Sequence, residues 1–178
     1  MNREDWSLLL EKLPANLWAR NPPAALGRIR TMEALLGRSL PPAFRSFLRY
    51  SDGAQFGERI VLGTPEMLEF LQKGHPLPGL EGPSQELRKS SGLLPFHPVS
   101  RSSFECLDLR ATGAPVVWVR FFQGERDPIQ TSKDVTYVDF LDWFLDLLWG
   151  LHQTEHPSEP RKGAIHPFSE NSPGAALP

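Results

Sequence analysis

The chain has 178 residues, of which 40% are hydrophobic, and a formal net charge of -2 at pH 7. This length and composition predict one globular domain, and the nearly balanced charge disfavours binding to nucleic acids or anionic membranes. Cys106 is the only cysteine, which excludes an internal disulfide and favours a reducing compartment. The first residues lack a signal-peptide pattern, and no apolar run approaches the roughly 20 residues of a membrane span, so we expect a cytoplasmic protein. The excess of arginine over lysine is typical of a GC-rich bacterial genome.

Two amphipathic helices are predicted at the start of the chain. Residues 3–13 form the first, with Asn2 as its N-cap, because apolar side chains recur there at helical spacing. Residues 23–36 form the second, and Gly37 ends it.

The stretch SLPPAFRSFLRYSDGAQFG, residues 39–57, predicts a third helix with a defined start and stop. Proline is tolerated at the first helical position, and Phe44, Phe47 and Leu48 then fall on one apolar face. The Asp-Gly pair ending at Gly53 stops the helix, because glycine readily adopts the left-handed backbone conformation.

The next segment predicts a short strand, a helix and a long loop. RIVLG (59–63) reads as the strand, and PEMLEFLQ (65–72) as a helix with Thr64 as its N-cap. Glycine and proline crowd residues 73–84, which predicts a surface loop, and SQELRK (84–89) suggests a further helical turn.

The chain then changes to the period of β-structure. Three strands rich in β-branched and aromatic residues are predicted, namely 93–99, 104–110 and 115–122. The third is apolar on both faces, which predicts an interior position in a sheet that helices cover. The link ATGA (111–114) is short enough for an antiparallel hairpin, and a further short strand is predicted around Ile129.

TYVDFLDWFLDLLWG (136–150) predicts the C-terminal helix, ending at Gly150. One narrow face carries the three aspartates, Asp139, Asp142 and Asp146, which we interpret as a solvated face rather than a metal cluster. The rest of the helix is apolar over a wider arc than one sheet face needs. Either a second helix covers the excess, which we favour, or Trp143 and Trp149 stay partly exposed for a partner.

Few residues carry recognisable chemistry. The HQTEH stretch (152–156) matches a zinc-peptidase pattern, but it lies between a glycine and a proline in a proline-rich tail without apolar periodicity. Cys106 alternates with apolar residues in a strand and is interpreted as a buried, inert thiol, and His97 as a structural residue. We therefore predict no catalytic residues, no metal and no cofactor. The remote alternative is a zinc hydrolase built on HQTEH.

The order of these elements resembles the SUKH superfamily of SMI/KNR-type proteins. The resemblance rests on Leu40-Pro41, the spaced aromatics, Asp52-Gly53, the strands LLPFHPV, FECLDL and PVVWVRFF, and the Phe140-Leu141 pair of the last helix. Asp52 and Ala54 replace the family's usual Asn and second Gly. The resemblance implies an α+β fold, a mainly antiparallel sheet flanked by helices. It covers a SUKH-like domain (23–150) and leaves the N-terminal helix as an extension (1–22). The proline-rich residues 151–178 lack apolar periodicity and are interpreted as a largely disordered tail.

The same resemblance implies protein binding without catalysis. Many bacterial relatives are immunity proteins, which neutralise a cognate toxin, often a nuclease, by occupying its active region, whereas eukaryotic relatives are regulatory interaction modules. Both roles stay open at this point. In this reading Leu40, Pro41 and Gly53 are scaffold residues and not contacts. The candidate partner contacts lie on two strands: Asp108, Arg110, Trp118, Arg120 and Phe122.

Overall fold

The computed structural model describes residues 3–11, 13–73, 92–100, 103–121, 129–131 and 136–155. The helices of this part of the chain are α1 (Arg3–Leu10), α2 (Leu26–Leu36), α3 (Pro42–Tyr50), α4 (Thr64–Lys73) and α5 (Phe140–Glu155). Its strands are β1 (Trp18–Arg20), β2 (Ala54–Phe56), β3 (Arg59–Val61), β4 (Leu93–Ser100), β5 (Ser103–Asp108), β6 (Val116–Phe121) and β7 (Ile129–Thr131).

The strands form two antiparallel sheets. The first has the order β1-β2-β3 and the second β4-β5-β6-β7, so neighbours in the chain are neighbours in space. The backbone N–H of Leu62, just after β3, donates to the carbonyl of Phe96 at 2.8 Å and connects the sheets. The predicted α+β class is confirmed. The prediction missed β1 and β2, because three residues are too few to show an alternating pattern.

The predicted hairpin of β5 and β6 is also confirmed. Phe104 pairs with Val119 and Cys106 with Val117, and β6 lies between β5 and β7, as its apolar sequence predicts. The neighbouring strand β4 has an irregularity between Pro95 and His97 in its pairing with β5. Such a bulge re-aims a side chain.

One aromatic core holds the helices against the sheets. Trp6 of α1 is fully buried and lies edge-on to Phe47 of α3 and Phe144 of α5, with ring centroids 5.4 and 5.0 Å apart. Its indole N–H donates to Ser46 Oγ at 3.0 Å. The segment before residue 23 therefore shares the core of the remaining chain, and β1 pairs with β2 at its edge.

Asp52 and Gly53, between α3 and β2, contact the start of α4. Helix α3 already ends at Tyr50, and Gly53, with φ of 81°, lies so close to Gly63 that an added Cβ would be 2.8 Å from the Gly63 nitrogen. Asp52 is buried, and its carboxylate accepts hydrogen bonds from the backbone N–H and hydroxyl of Thr64 at 2.5 and 2.8 Å. The prediction that Thr64 caps α4 is wrong, because the capping oxygens come from Asp52 across the fold.

Helix α5 differs from its prediction at both ends. It begins at Phe140 rather than 136, because Asp139 is its N-cap and accepts the Asp142 N–H at 2.9 Å. Tyr137 instead forms a β-bridge with Val116. The helix continues past Gly150 to Glu155, so that glycine does not end it.

Helices α1 and α3 both contact the apolar arc of α5, through Phe140 and Phe144, as expected of a second covering helix. Trp143 is 1% exposed, whereas Trp149 remains 39% exposed. The predictions for residues 74–91, for Asn2 and for the tail beyond Glu155 lie outside the described residues.

Candidate interaction site

The end of β5 carries a rigid charged pair. Arg110 donates from Nε and Nη2 to the two carboxylate oxygens of Asp108, each at 2.7 Å, and its backbone N–H donates to Oδ1 at 3.0 Å. These bonds, together with the charges of Arg110 and Arg38, hold the pKa of Asp108 below its ordinary value. The Arg110 side chain is half-exposed, so one edge of the guanidinium faces solvent in a fixed orientation.

Next to this pair lies a groove of about 230 Å³ between the start of α3 and the β5–β6 connection. A guanidinium nitrogen of Arg38 donates to the carbonyl of Leu109 and ties the two walls together. Hydrophobic and small residues line the groove: Ser39, Leu40, Pro41, Pro42, Leu109, Ala111, Gly113 and Ala114. The groove is thus largely apolar, and the charged residues Arg38, Asp108 and Arg110 are the chain neighbours of its lining residues Ser39 and Leu109.

Trp118 and Arg120 form a second pair on β6. The guanidinium carbon of Arg120 lies 4.8 Å from the Trp118 ring centroid, a cation–π geometry. Trp118 is half-buried opposite Glu105, and Arg120 is exposed opposite Ser103.

The candidate contacts do not form one patch. Asp108 lies an odd number of residues from Glu105, so it projects from the sheet face opposite to that of Trp118. The structure therefore brings Asp108 to Arg110, and Trp118 to Arg120, but places the two pairs apart. The fifth candidate, Phe122, lies outside the described residues.

A buried polar cluster, which the sequence reasoning did not identify, lies between the second sheet and α5. The indole N–H of Trp143 donates to Glu105 Oε2 at 2.5 Å, and His97 Nε2 lies 3.9 Å from the same oxygen. His97 Nδ1 lies 2.8 Å from the carbonyl of Ile60, which can only accept, so this nitrogen carries the proton. His97 thus links β4 to the end of β3.

Burial perturbs both titratable members of this cluster. It raises the pKa of Glu105 to about 7, against the opposing effects of the Trp143 hydrogen bond and the charge of Arg59, while Asp146 raises that pKa further. The pKa of His97 is lowered, chiefly by burial. Glu105 escaped detection because alternation in a strand normally points a carboxylate to solvent. The sequence did contain one indication of its burial: Glu105 is two residues before Leu107, so both side chains lie on the same face of the strand.

The other chemically interesting residues are distributed as follows. Cys106 is fully buried and burial raises the pKa of its thiol, as expected of an unreactive cysteine. His152 is exposed on the last turns of α5, and His156 lies outside the described residues. No group of three His, Cys, Asp or Glu suited to a metal ion occurs in the described part of the chain. None of the helices described here combines the length and apolar character needed to cross a bilayer.

Comparison with known families gives one match. The family model described as "SMI1 / KNR4 family (SUKH-1)" matches residues 23–146, well over half of the chain. A comparison with curated proteins finds no match. The matched segment contains the Leu-Pro wall of the groove, the Asp108–Arg110 pair and the buried Glu105 cluster.

Proposed function

Because this chain belongs to the SMI1/KNR4 (SUKH-1) family, we propose that it is a non-catalytic protein-binding domain that acts as an immunity protein. It neutralises a cognate bacterial toxin, with a nuclease among the candidate activities, by covering the toxin's active region. The groove beside Asp108 and Arg110 is its proposed contact. We place the protein in the cytoplasm, where such a toxin acts and where the reduced Cys106 is expected to persist.

The observation that carries this proposal is the composition of the groove and its surroundings. Stable interfaces have an apolar, desolvated centre and a polar rim, and arginine is over-represented among the residues that dominate binding energy. Leu40 and Pro41, which the sequence indicated only as scaffold residues, line the apolar wall of the groove, and Arg110 is held by Asp108 in one orientation. A preorganised guanidinium loses little side-chain entropy on binding, so it is suited to anchor a partner carboxylate.

The buried groups support a role without catalysis. Glu105 is nearly sequestered from solvent, with 13% of its side chain exposed, and the Cys106 thiol is fully buried. A general base or nucleophile must reach the reacting atoms of a substrate. Both groups lie where they contribute to packing.

The test fills the groove without altering the core. Ala111 is exposed and lines the groove, so Ala111→Trp occupies it, and Ala19→Trp makes the same change at an exposed position of β1 as a control. We expect the wild-type chain and Ala19→Trp to copurify with the product of the adjacent gene. Ala111→Trp is expected to bind at least about tenfold more weakly. Equal binding by both variants would contradict the groove as the contact, and absence of binding by the wild-type chain would contradict the immunity role.

The regulatory alternative makes a different prediction. A scaffold of the SMI/KNR type binds its partner without abolishing that partner's activity, whereas an immunity protein abolishes it. Toxin activity in the presence of the bound chain separates the two roles.

A further inference from the structure

The charge of the chain is unevenly distributed. Between Trp18 and Tyr50 the sequence carries a single carboxylate, Glu33, and six arginines, Arg20, Arg28, Arg30, Arg38, Arg45 and Arg49. This excess of positive charge contrasts with the net -2 of the whole chain. The positive charge is concentrated on α2, α3 and the segments that flank them. The helical hairpin is therefore locally positive, although the whole chain is weakly negative.

Packing of the hairpin brings several of these arginines to one seam. Helices α2 and α3 run antiparallel, because the Ala24 N–H donates to the Leu48 carbonyl at 2.9 Å and Arg45 Nε lies 3.2 Å from Glu33 Oε1. Arg30 lies one turn before Glu33 on α2, and Arg49 lies one turn after Arg45 on α3. Residues three and four apart share a helix face. Because the helices are antiparallel, Arg30 and Arg49 both lie one turn from the Glu33–Arg45 pair toward the same end of the hairpin, one on each side of the seam.

Arg30 and Arg49 are both exposed, and among the described residues no carboxylate lies within 4 Å of either guanidinium group. The other arginines of the segment have intramolecular contacts. Arg28 lies 3.7 Å from Asp52 Oδ2, and the Arg20 guanidinium lies 5.5 Å from the Tyr50 ring centroid. Leu26 is one turn before Arg30, and 43% of it is exposed. The seam thus combines guanidinium groups available to a partner with an exposed apolar side chain.

We propose that this arginine face, defined as Leu26, Arg30, Arg45 and Arg49, binds an acidic protein surface in which carboxylates surround an apolar side chain. The arginine face adjoins the groove, since Pro41, which lines the groove and precedes α3 as its N-cap, is four residues before Arg45. The inference rests on the proposed function for its claim that this acidic surface belongs to the toxin. It implies that the toxin docks through a carboxylate-bearing region rather than through a basic one.

The chemistry favours a protein over a nucleic acid. Arginine binds carboxylates through paired N–H donors, and isolated pairs of this kind suit a folded acidic surface. Glu33, which lies in the seam one turn from Arg30, would repel a continuous phosphate backbone. The neighbouring aromatic Tyr50 is 3% exposed, so it cannot serve as a stacking platform for bases.

The first experiment maps binding directly on the full chain. A ¹⁵N-labelled protein is titrated with a short glutamate-rich peptide carrying one central leucine, with the corresponding lysine peptide, and with a short DNA duplex. We expect the glutamate peptide to shift amide resonances of α2 and α3 and to lose this effect at high salt. Shifts confined to other elements, an equal effect of the lysine peptide, or tighter binding of DNA at the same residues would each overturn the proposal.

The second experiment uses charge reversal. The double variant Arg30→Glu with Arg49→Glu is compared with the control Arg59→Glu with Lys73→Glu, which reverses the same number of charges at exposed positions outside the arginine face and the groove. The double variant should bind the glutamate peptide and the adjacent-gene product at least about tenfold more weakly than the wild-type chain does. The control should bind both with the affinity of the wild-type chain. Thermal unfolding verifies that both variants fold, and the milder pair Arg30→Gln with Arg49→Gln replaces the double variant if it does not.

The two proposals fail in distinguishable ways. If the wild-type chain does not bind the adjacent-gene product, the immunity role is contradicted. The peptide titration still decides whether the arginine face binds acidic surfaces. Binding of that product with unchanged affinity by the double variant overturns the arginine face and leaves the immunity role standing.

Discussion

Replacing the buried carboxyl group of Glu105 by an amide should make the protein more stable at alkaline pH. The side chain of Glu105 is 13% exposed, and its pKa in the folded protein is about 7, compared with an ordinary value of 4.5. One pKa unit corresponds to about 1.4 kcal/mol, so the free energy that opposes ionisation in the folded state is roughly 3 kcal/mol. Glu105→Gln keeps the shape and an oxygen that accepts the Trp143 N–H, but it cannot ionise.

The sign of the pH dependence follows from proton binding. Between pH 4.5 and about 7 the folded state retains a proton on Glu105 that the unfolded chain has lost, so stability falls as the pH rises. His97 acts in the opposite sense. Its pKa is lowered in the folded state, so stability falls as the pH drops below 6.5 and the unfolded chain gains a proton first. At about pH 8 the histidine is neutral in both states, and the remaining difference reports Glu105.

The assay is urea unfolding of both proteins, followed by tryptophan fluorescence at about pH 5 and about pH 8. The stability of Glu105→Gln relative to the wild type should rise by about 3 kcal/mol between these two values. Glu58→Gln, at an exposed position in the turn between β2 and β3, is the matched control and should leave the pH dependence unchanged. A stability difference that is constant with pH, or that shrinks as the pH rises, would refute the reasoning.

Three further substitutions test the packing. Trp6→Ala removes a fully buried indole from the aromatic core and should lower the free energy of unfolding by about 3–5 kcal/mol, measured by urea denaturation; a cost below about 1 kcal/mol would mean that α1 is dispensable to the core. Gly53→Ala should cost at least about 3 kcal/mol, because its Cβ would lie 2.8 Å from the Gly63 nitrogen. Gly37→Ala, at φ of 66° with no atom within 4 Å of the added Cβ, should cost about 1–2 kcal/mol. Equal costs at the two glycines would show that the close approach is unimportant.

The sequence predicted the strongly periodic elements well. Phe44, Phe47 and Leu48 are buried on one face of α3, and β6 has the interior sheet position that its apolar residues indicate. These predictions succeed because burial on one face requires a regular apolar spacing, which a single sequence displays. The α+β class and family follow from the same elements.

The errors came from contacts between residues distant in the chain. Asp52 caps α4 from twelve residues away, and Tyr137 pairs with Val116 instead of extending α5. The perturbed pKa of Glu105 depends on its burial and on Trp143, Arg59 and Asp146, which lie on two other elements. Local periodicity carries no information about such contacts, so the buried cluster and the groove became evident only in three dimensions.

The proposed immunity role is tested most directly by titrating the wild-type chain into the product of the adjacent gene while measuring that product's toxin activity. Occlusion of the active region predicts that activity falls in proportion to added chain and is fully lost at a one-to-one ratio. A complex that forms but leaves the activity intact would contradict occlusion and favour the regulatory role.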